Sequence, residues 1–173
     1  RCMLLCAQPT AVRNSSVGHS YRQESYLYYL TGLNESQCAL FIGAHRELGD
    51  QVHLFIQQKD FERERWVGRV MGVDAARKIA GVDAAHPIES LWSMLPELML
   101  DSEGVHYRFG LDPDGDRQFI QARQVRIKKS KKRAHYKLPV FDPDEIASAQ
   151  RHIKTAAEVT RHKKAAEVTA KAF

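Results

Sequence analysis

At 173 residues, with 43% hydrophobic and 27% charged residues, the chain has the size and balance of one soluble globular domain plus a short extension, enough to bury a real core. No apolar run approaches the roughly 20 residues of a membrane span, so no transmembrane helix is expected. The formal charge of +5 is concentrated in residues 123–137, and that local run says more about partners than the whole-chain balance does.

The opening, Arg1-Cys2-Met3-Leu4-Leu5-Cys6, is too short for the apolar region of a signal peptide. It reads as a buried strand that begins abruptly, as if the chain were cut. Residues 25–31 read as a short helix or turn closed by Gly32, where a positive φ suits glycine. Residues 38–42 and 52–56 are apolar runs of strand length, joined through the polar, glycine-containing 46–50 into a hairpin. Asp60 suits the N-cap of a short helix through Trp66, with acidic residues in its first turn. Residues 74–80 predict a second helix and 88–100 a third, in which Ile88, Leu91, Trp92, Leu95, Leu98 and Met99 recur at helical spacing. Pro96 stands against that third helix, because mid-helix it removes a hydrogen bond and kinks the backbone. Residues 105–109 alternate like a half-buried strand, and a further helix is expected from about residue 116 into the basic run. Strands alternating with helices predict a layered α/β domain.

Three cysteines, Cys2, Cys6 and Cys38, are an odd number in apolar surroundings, which fits reduced, buried thiols in a cytosolic protein. Cys2 and Cys6 face one side of a strand, yet no further ligands stand at metal-site spacing. Asp112-Pro113-Asp114-Gly115-Asp116 is like a calcium loop only superficially. Its glycine comes at position four rather than six, and Arg123 stands where the bidentate Glu is needed. It predicts a turn that caps the next helix. The run Arg126-Ile127-Lys128-Lys129-Ser130-Lys131-Lys132-Arg133 has the composition of a nucleic-acid or nuclear-import signal, but no aromatics interleave to stack bases. A solvated helix end is the reading adopted, and no nucleic-acid partner is expected. Asn14-Ser15-Ser16 and Asn34-Glu35-Ser36 fit the glycosylation pattern by chance. No phosphate loop, nucleophile elbow or His-Glu-x-x-His motif is present.

The stretch Tyr21-Arg22-Gln23-Glu24-Ser25-Tyr26-Leu27-Tyr28-Tyr29-Leu30-Thr31-Gly32-Leu33-Asn34-Glu35 resembles the signature of the N-terminal domain of Xaa-Pro aminopeptidases, of the creatinase and prolidase superfamily. That signature reads roughly Tyr-Arg-Gln-x-Ser-x-Phe-Tyr-Tyr-Leu-Thr-Gly-Phe-x-Glu. Arg13-Asn14 stands upstream as in the family, and Glu62-x-Glu64-x-Trp66-x-Gly68-Arg69 follows downstream. The resemblance sharpens the fold to a mixed β-sheet flanked by helices, like the ribonuclease-H-like N-terminal domain of creatinase. It divides the chain into an N-terminal domain (1–137), a linker (138–153) and the possible start of a pita-bread catalytic domain (154–173). In that last part Ala-Ala-Glu-Val-Thr occurs twice, at 156–160 and 165–169, where the family matches only the second copy.

By resemblance, the parent is a cytoplasmic metallopeptidase that releases the N-terminal residue from peptides with proline in second position. It would use two divalent ions, commonly manganese, held by five ligands that all lie beyond residue 173. This chain alone should then be inactive and should contribute homo-oligomer contacts (a dimer or tetramer), contacts to its own catalytic domain and restricted access for proline-containing peptides. Trp66 matches the family tryptophan that approaches a neighbouring subunit's active site, so Trp66, with Arg69, is the candidate for walling the substrate entrance in trans. The alternative is an ordinary buried tryptophan. Tyr21, Tyr26, Tyr28 and Tyr29 are expected to pack the core, with Arg22 paired to an internal carboxylate, or else to line a binding groove. A stand-alone, non-catalytic protein-binding module of the same superfamily is the second functional reading.

Overall fold

The structure, a computed structural model, describes residues 1–15, 17–45, 49–130 and 137–172. The middle of the expected hairpin connection (46–48), Ser16 of the first sequon and the basic residues 131–133 lie outside the described residues.

Two compact units make up the chain, Arg1–Asp142 and Pro143–Phe173. The first is built on β1 (Cys2–Cys6), an apolar pentapeptide buried on both faces. Such a strand needs helices above and below it. β4 (Cys38–His45) pairs antiparallel with β1, and β5 (Gly49–Ile56) returns antiparallel along β4, the expected hairpin. β6 (Ala84–Pro87) adds parallel to β5. On the other side β7 (Val105–His106) adds parallel to β1, and β8 (Val140–Phe141) parallel to β7. The six-stranded order is β6-β5-β4-β1-β7-β8, with β4 alone reversed. A second, two-stranded sheet of β2 (Val12–Asn14) and β3 (Val17–Gly18) is exposed.

Alternation along the strands divides the core. Cys2, Leu4, Ala39, Phe41, Phe55 and Val105 share one face and pack against α4 (Leu91–Leu98) and α5 (Pro113–Lys129) through Leu91, Leu95, Phe119 and Ala122. Leu5, Leu40 and Leu54 stand in register on the opposite face, and α1 (Ser25–Thr31) and α3 (Val73–Ala80) pack on that side of β1 and β5. Each buried leucine, phenylalanine and valine among these contributes on the order of 2 kcal/mol. The expected α/β layering, a mixed sheet flanked by helices, is what the chain forms.

Several elements differ from expectation in physically simple ways. The helix expected over 88–100 is a 3-10 turn, Ile88–Ser90, leading into α4. Pro96 stays inside α4 because that helix is only eight residues long and loses a single backbone bond there. α5 starts three residues earlier than expected, since Pro113 is at home in a first turn and the Asp112 carboxylate accepts from the Asp114 N–H at 3.1 Å. Residues 138–142, expected to open the linker, carry β8 and the fully buried Leu138.

The second unit consists of α6 (Asp144–His152) and α7 (Ala156–Ala172). Thr155 and Glu158 cap α7 reciprocally: the Glu158 carboxylate accepts from the Thr155 N–H, and the Thr155 hydroxyl accepts from the Glu158 N–H. The two Ala-Ala-Glu-Val-Thr blocks start nine residues apart, half a rotation on a helix, so they present opposite faces of α7.

Candidate functional site: the aromatic turn after β5

β5 leaves the sheet at Ile56, and the chain runs through Gln57, Gln58, Lys59 and Asp60 into α2 (Phe61–Val67). Asp60 caps the helix as expected, its Oδ1 accepting from the Glu62 N–H at 3.0 Å while its carbonyl accepts from Glu64. After one more turn the chain reverses at Gly68, whose φ of 89° is open to glycine and costly for other residues. The Glu64 carboxylate accepts from the Val70 N–H at 3.0 Å and closes the turn. Beyond it, Gly72 (φ 76°) leaves room for the Lys59 side chain: a Cβ there would stand 2.8 Å from Lys59 Cγ.

Trp66 is 90% exposed and Phe61 77% exposed, and Arg69 lies on the surface as well. The buried alternative for Trp66 is therefore wrong for this chain. A polar cleft of about 540 Å³ opens at the N-terminal end of α2, lined by Gln57, Lys59, Asp60, Phe61, Glu62 and Glu89. It lies just outside the carboxyl ends of the parallel strands β5 and β6; Trp66 and Arg69 are not among its lining residues.

The tyrosine-rich segment sorts itself differently from expectation. Only Tyr26 is buried, while Tyr28 and Tyr29 are exposed and Tyr21 is half-buried. Arg22 is exposed too, and no ion pair forms at it among the described residues. The internal carboxylate of this segment is Glu24. Its Oε2 accepts from the N–H groups of Tyr26 and Leu27 at 2.8 Å, and its Oε1 stands 3.6 Å from Arg108, which also reaches Asp142. Arg108, two residues past β7, takes the place expected of Arg22, which is exposed.

Gln23 was not anticipated. Its Oε1 accepts from the Tyr21 hydroxyl (2.8 Å) and from the N–H groups of Glu24 (2.9 Å) and Gln8 (3.3 Å). Its Nε2 donates to the Glu35 carbonyl (2.7 Å) and lies 3.3 Å from Cys38 Sγ. One buried amide thereby ties the end of β1, the signature segment and the start of β4.

Cys2, Cys6 and Cys38 are all free thiols, and Cys2 and Cys6 face the same core. Burial pushes Cys6 and Cys38 up to about 12, so both are protonated and unreactive at neutral pH. Arg126, the first residue of the basic run, is fully buried rather than solvated. It donates to the carbonyls of Met99, Leu100 and Ser102. Lys129 is exposed and pairs with Glu97. The rings of His53 and His86 stack nearly parallel, with Nδ1 and Nε2 3.1 Å apart, a contact between β5 and β6. Among the described residues no three His, Cys, Asp or Glu side chains converge to hold a metal ion, so the two manganese ions implied by the resemblance find no donor set here. No helix among them is long and apolar enough to cross a membrane.

Comparison with known proteins gives this geometry a family. The family described as "Aminopeptidase P, N-terminal domain" matches residues 1–107. The Xaa-Pro aminopeptidases of Haemophilus influenzae and Escherichia coli K12 are 26% and 27% identical over 97% and 98% of this chain. The chain spans 36% and 38% of those proteins, little more than a third of their length. Among solved structures, Pseudomonas aeruginosa aminopeptidase PepP superposes with a TM-score of 0.87 at 35% identity, covering 99% of this chain and 38% of that one. An Escherichia coli aminopeptidase P structure superposes with a TM-score of 0.84 at 27% identity, again over 99% of this chain and 39% of the other. The chain belongs to the aminopeptidase P N-terminal domain family and corresponds to the N-terminal domain of Xaa-Pro aminopeptidase-like proteins.

Proposed function

We propose that this chain serves as the non-catalytic N-terminal domain of a cytoplasmic Xaa-Pro aminopeptidase. The parent enzyme would release the N-terminal residue from peptides with proline in second position, with two divalent ions, manganese by preference, polarising the scissile carbonyl and activating water on the catalytic domain. The matching family is an N-terminal domain and the chain spans little more than a third of its relatives, which supports access and assembly rather than bond cleavage as the part of this chain. One of the similar Escherichia coli structures is a zinc-substituted aminopeptidase P in complex with product, which supports a metal-dependent parent.

The observation that carries the reading is the presentation of Trp66, an indole left 90% exposed on a turn tightened by Asp60, Glu64 and Gly68. Tryptophan and arginine are the residue types that dominate interface energetics. Trp66 and Arg69 would wall the substrate entrance of a neighbouring subunit in a dimer or tetramer. In the full-length protein, Trp66→Ala is expected to raise KM for an Xaa-Pro peptide by about tenfold, or to shift the oligomer toward smaller species, the worth of roughly one lost hot-spot contact. Unchanged KM together with unchanged mass in solution overturns the reading.

A further inference from the structure

We infer that Glu64 is a positioning residue whose carboxylate holds the aromatic turn, and with it Trp66 and Arg69, in the presented geometry. The kinetic part of this inference rests on the substrate-access reading above; the structural part stands without it.

Three hydrogen bonds converge on Glu64. Its N–H donates to the Asp60 carbonyl at 2.9 Å, its carbonyl accepts from the Gly68 N–H at 3.1 Å, and its Oε1 accepts from the Val70 N–H at 3.0 Å. The first two belong to the helix. The third does not: Val70 lies past Gly68 (φ 89°), beyond the reach of any helical acceptor. That bond therefore clamps residues 65–69 as a closed loop, anchored at both ends through a single side chain.

Among the described residues little else holds the loop. A seven-residue helix is far below the length that is stable on its own. Trp66 and Phe61 are both exposed, so burial does not fix them. A bond from a backbone N–H to a carboxylate is charge-assisted and about twice as strong as a neutral one. The Lys59 side chain lies over Gly72, where the segment enters α3, and does not itself reach the Glu64–Val70 bond. The backbone that carries Trp66 and Arg69 is thus held by the Glu64 clasp. The clasp needs only an acceptor oxygen, so glutamine can substitute and alanine cannot.

The test uses the 173-residue chain labelled with 5-fluorotryptophan, whose two indoles give two fluorine resonances. Trp66→Phe identifies the Trp66 signal, and Trp92, packed against the core, serves as the internal control for folding. In Glu64→Ala the Trp66 resonance is expected to narrow as residues 65–69 gain motion while Trp92 stays put; Glu64→Gln, which keeps an acceptor oxygen, should stay close to the native linewidth. In the full-length protein, Glu64→Ala should raise KM by about tenfold with kcat within about twofold, the worth of one charge-assisted hydrogen bond, and Glu64→Gln should restore it. A Trp66 signal unchanged by Glu64→Ala overturns the clasp, and so does a Glu64→Gln variant as mobile as the alanine. A mobile Trp66 with unchanged KM upholds the clasp and overturns the substrate-access reading instead.

Discussion

Gln23 and Cys38 show how a signature can be structural in its chemistry. The Gln23 amide meets five groups at once, its oxygen shared by three donors, and the extra methylene over asparagine gives the carboxamide its reach. Beside it the Cys38 thiol lies in a dry pocket, 3.2 Å from the Glu35 carbonyl. Burial is the main cause that raises the thiol from its ordinary value of 9.0 to about 12, and the Gln23 amide only partly offsets this. Cys6 is raised to about 12, again mainly by burial. The sign of the linkage follows directly. Between 9 and 12 the unfolded chain has released these protons and the folded chain still holds them, so stability falls as pH rises. Below 9 the contribution is fully present. Each thiol should cost about 1.4 kcal/mol per pH unit across that window. Urea midpoints measured from pH 8 to 10.5 should therefore drop more steeply for the native chain than for Cys38→Ala, once both are referred to their own value at pH 8. Parallel curves would show that this thiol is not held protonated by the fold.

At the scale of elements, α5 is where sequence and structure diverge most usefully. Its buried stripe is Gly115, Phe119, Ala122 and Arg126, spaced four, three and four residues apart, a regular helical face that ends on a cation. The charge run hides this, because Arg126 is followed by Lys128 and Lys129 and composition alone reads all three as solvated. Extending the apolar spacing by one step would have placed Arg126 inside. There its guanidinium meets the carbonyls of Met99, Leu100 and Ser102 just past the end of α4, where unpaired carbonyls gather and a cation is favoured. Burial lowers its pKa, but an arginine remains charged. Arg126→Leu, similar in apolar bulk but without donors, should cost about 3–5 kcal/mol by leaving buried carbonyls unsatisfied. Arg126→Lys should recover only part of that loss, because one ammonium cannot reproduce the planar fork. A leucine variant with the native urea midpoint would mean that water serves those carbonyls as well as arginine does. The hairpin, by contrast, was legible because 38–42 and 52–56 are apolar, strand-length and joined by a short polar connection. β6 was not legible: Ala-Ala-His-Pro has no β-branched residue and ends in proline, and only pairing with β5 makes it a strand. Exposure of Trp66 was equally beyond the sequence, since an indole beside charges reads the same buried or bare.

At the scale of the molecule, the question is where the folded unit ends. Local sequence favours a boundary near residue 137, because Leu-Pro-Val-Phe-Asp-Pro carries two prolines and reads as an exit. Packing favours residue 142. Leu138 is fully buried in the face that holds Phe119, and its carbonyl accepts from Arg123 Nε at 2.8 Å. The N–H groups of Val105 and Tyr107 donate to the carbonyls of Pro139 and Phe141, both at 3.0 Å. Gly104 lies so close to the Phe141 ring that a Cβ would stand 2.7 Å from it. The two prolines fit this arrangement, because β8 is an edge strand only two residues long and needs few donors of its own. A chain ending at residue 137 loses the burial of Leu138, worth about 2 kcal/mol, and three hydrogen bonds worth about 1 kcal/mol each. That sum is of the order of a typical domain's entire stability. We therefore expect residues 1–142 to unfold cooperatively near the midpoint of the whole chain, and residues 1–137 to unfold at a much lower urea concentration and bind hydrophobic dyes. Equal midpoints for the two truncations would place the energetic edge of the sheet at β7, with β8 as a passive trailer. Unequal midpoints would make β8 part of what keeps the signature helix in place, since Asp142 reaches back through Arg108 to the Glu24 cap of α1.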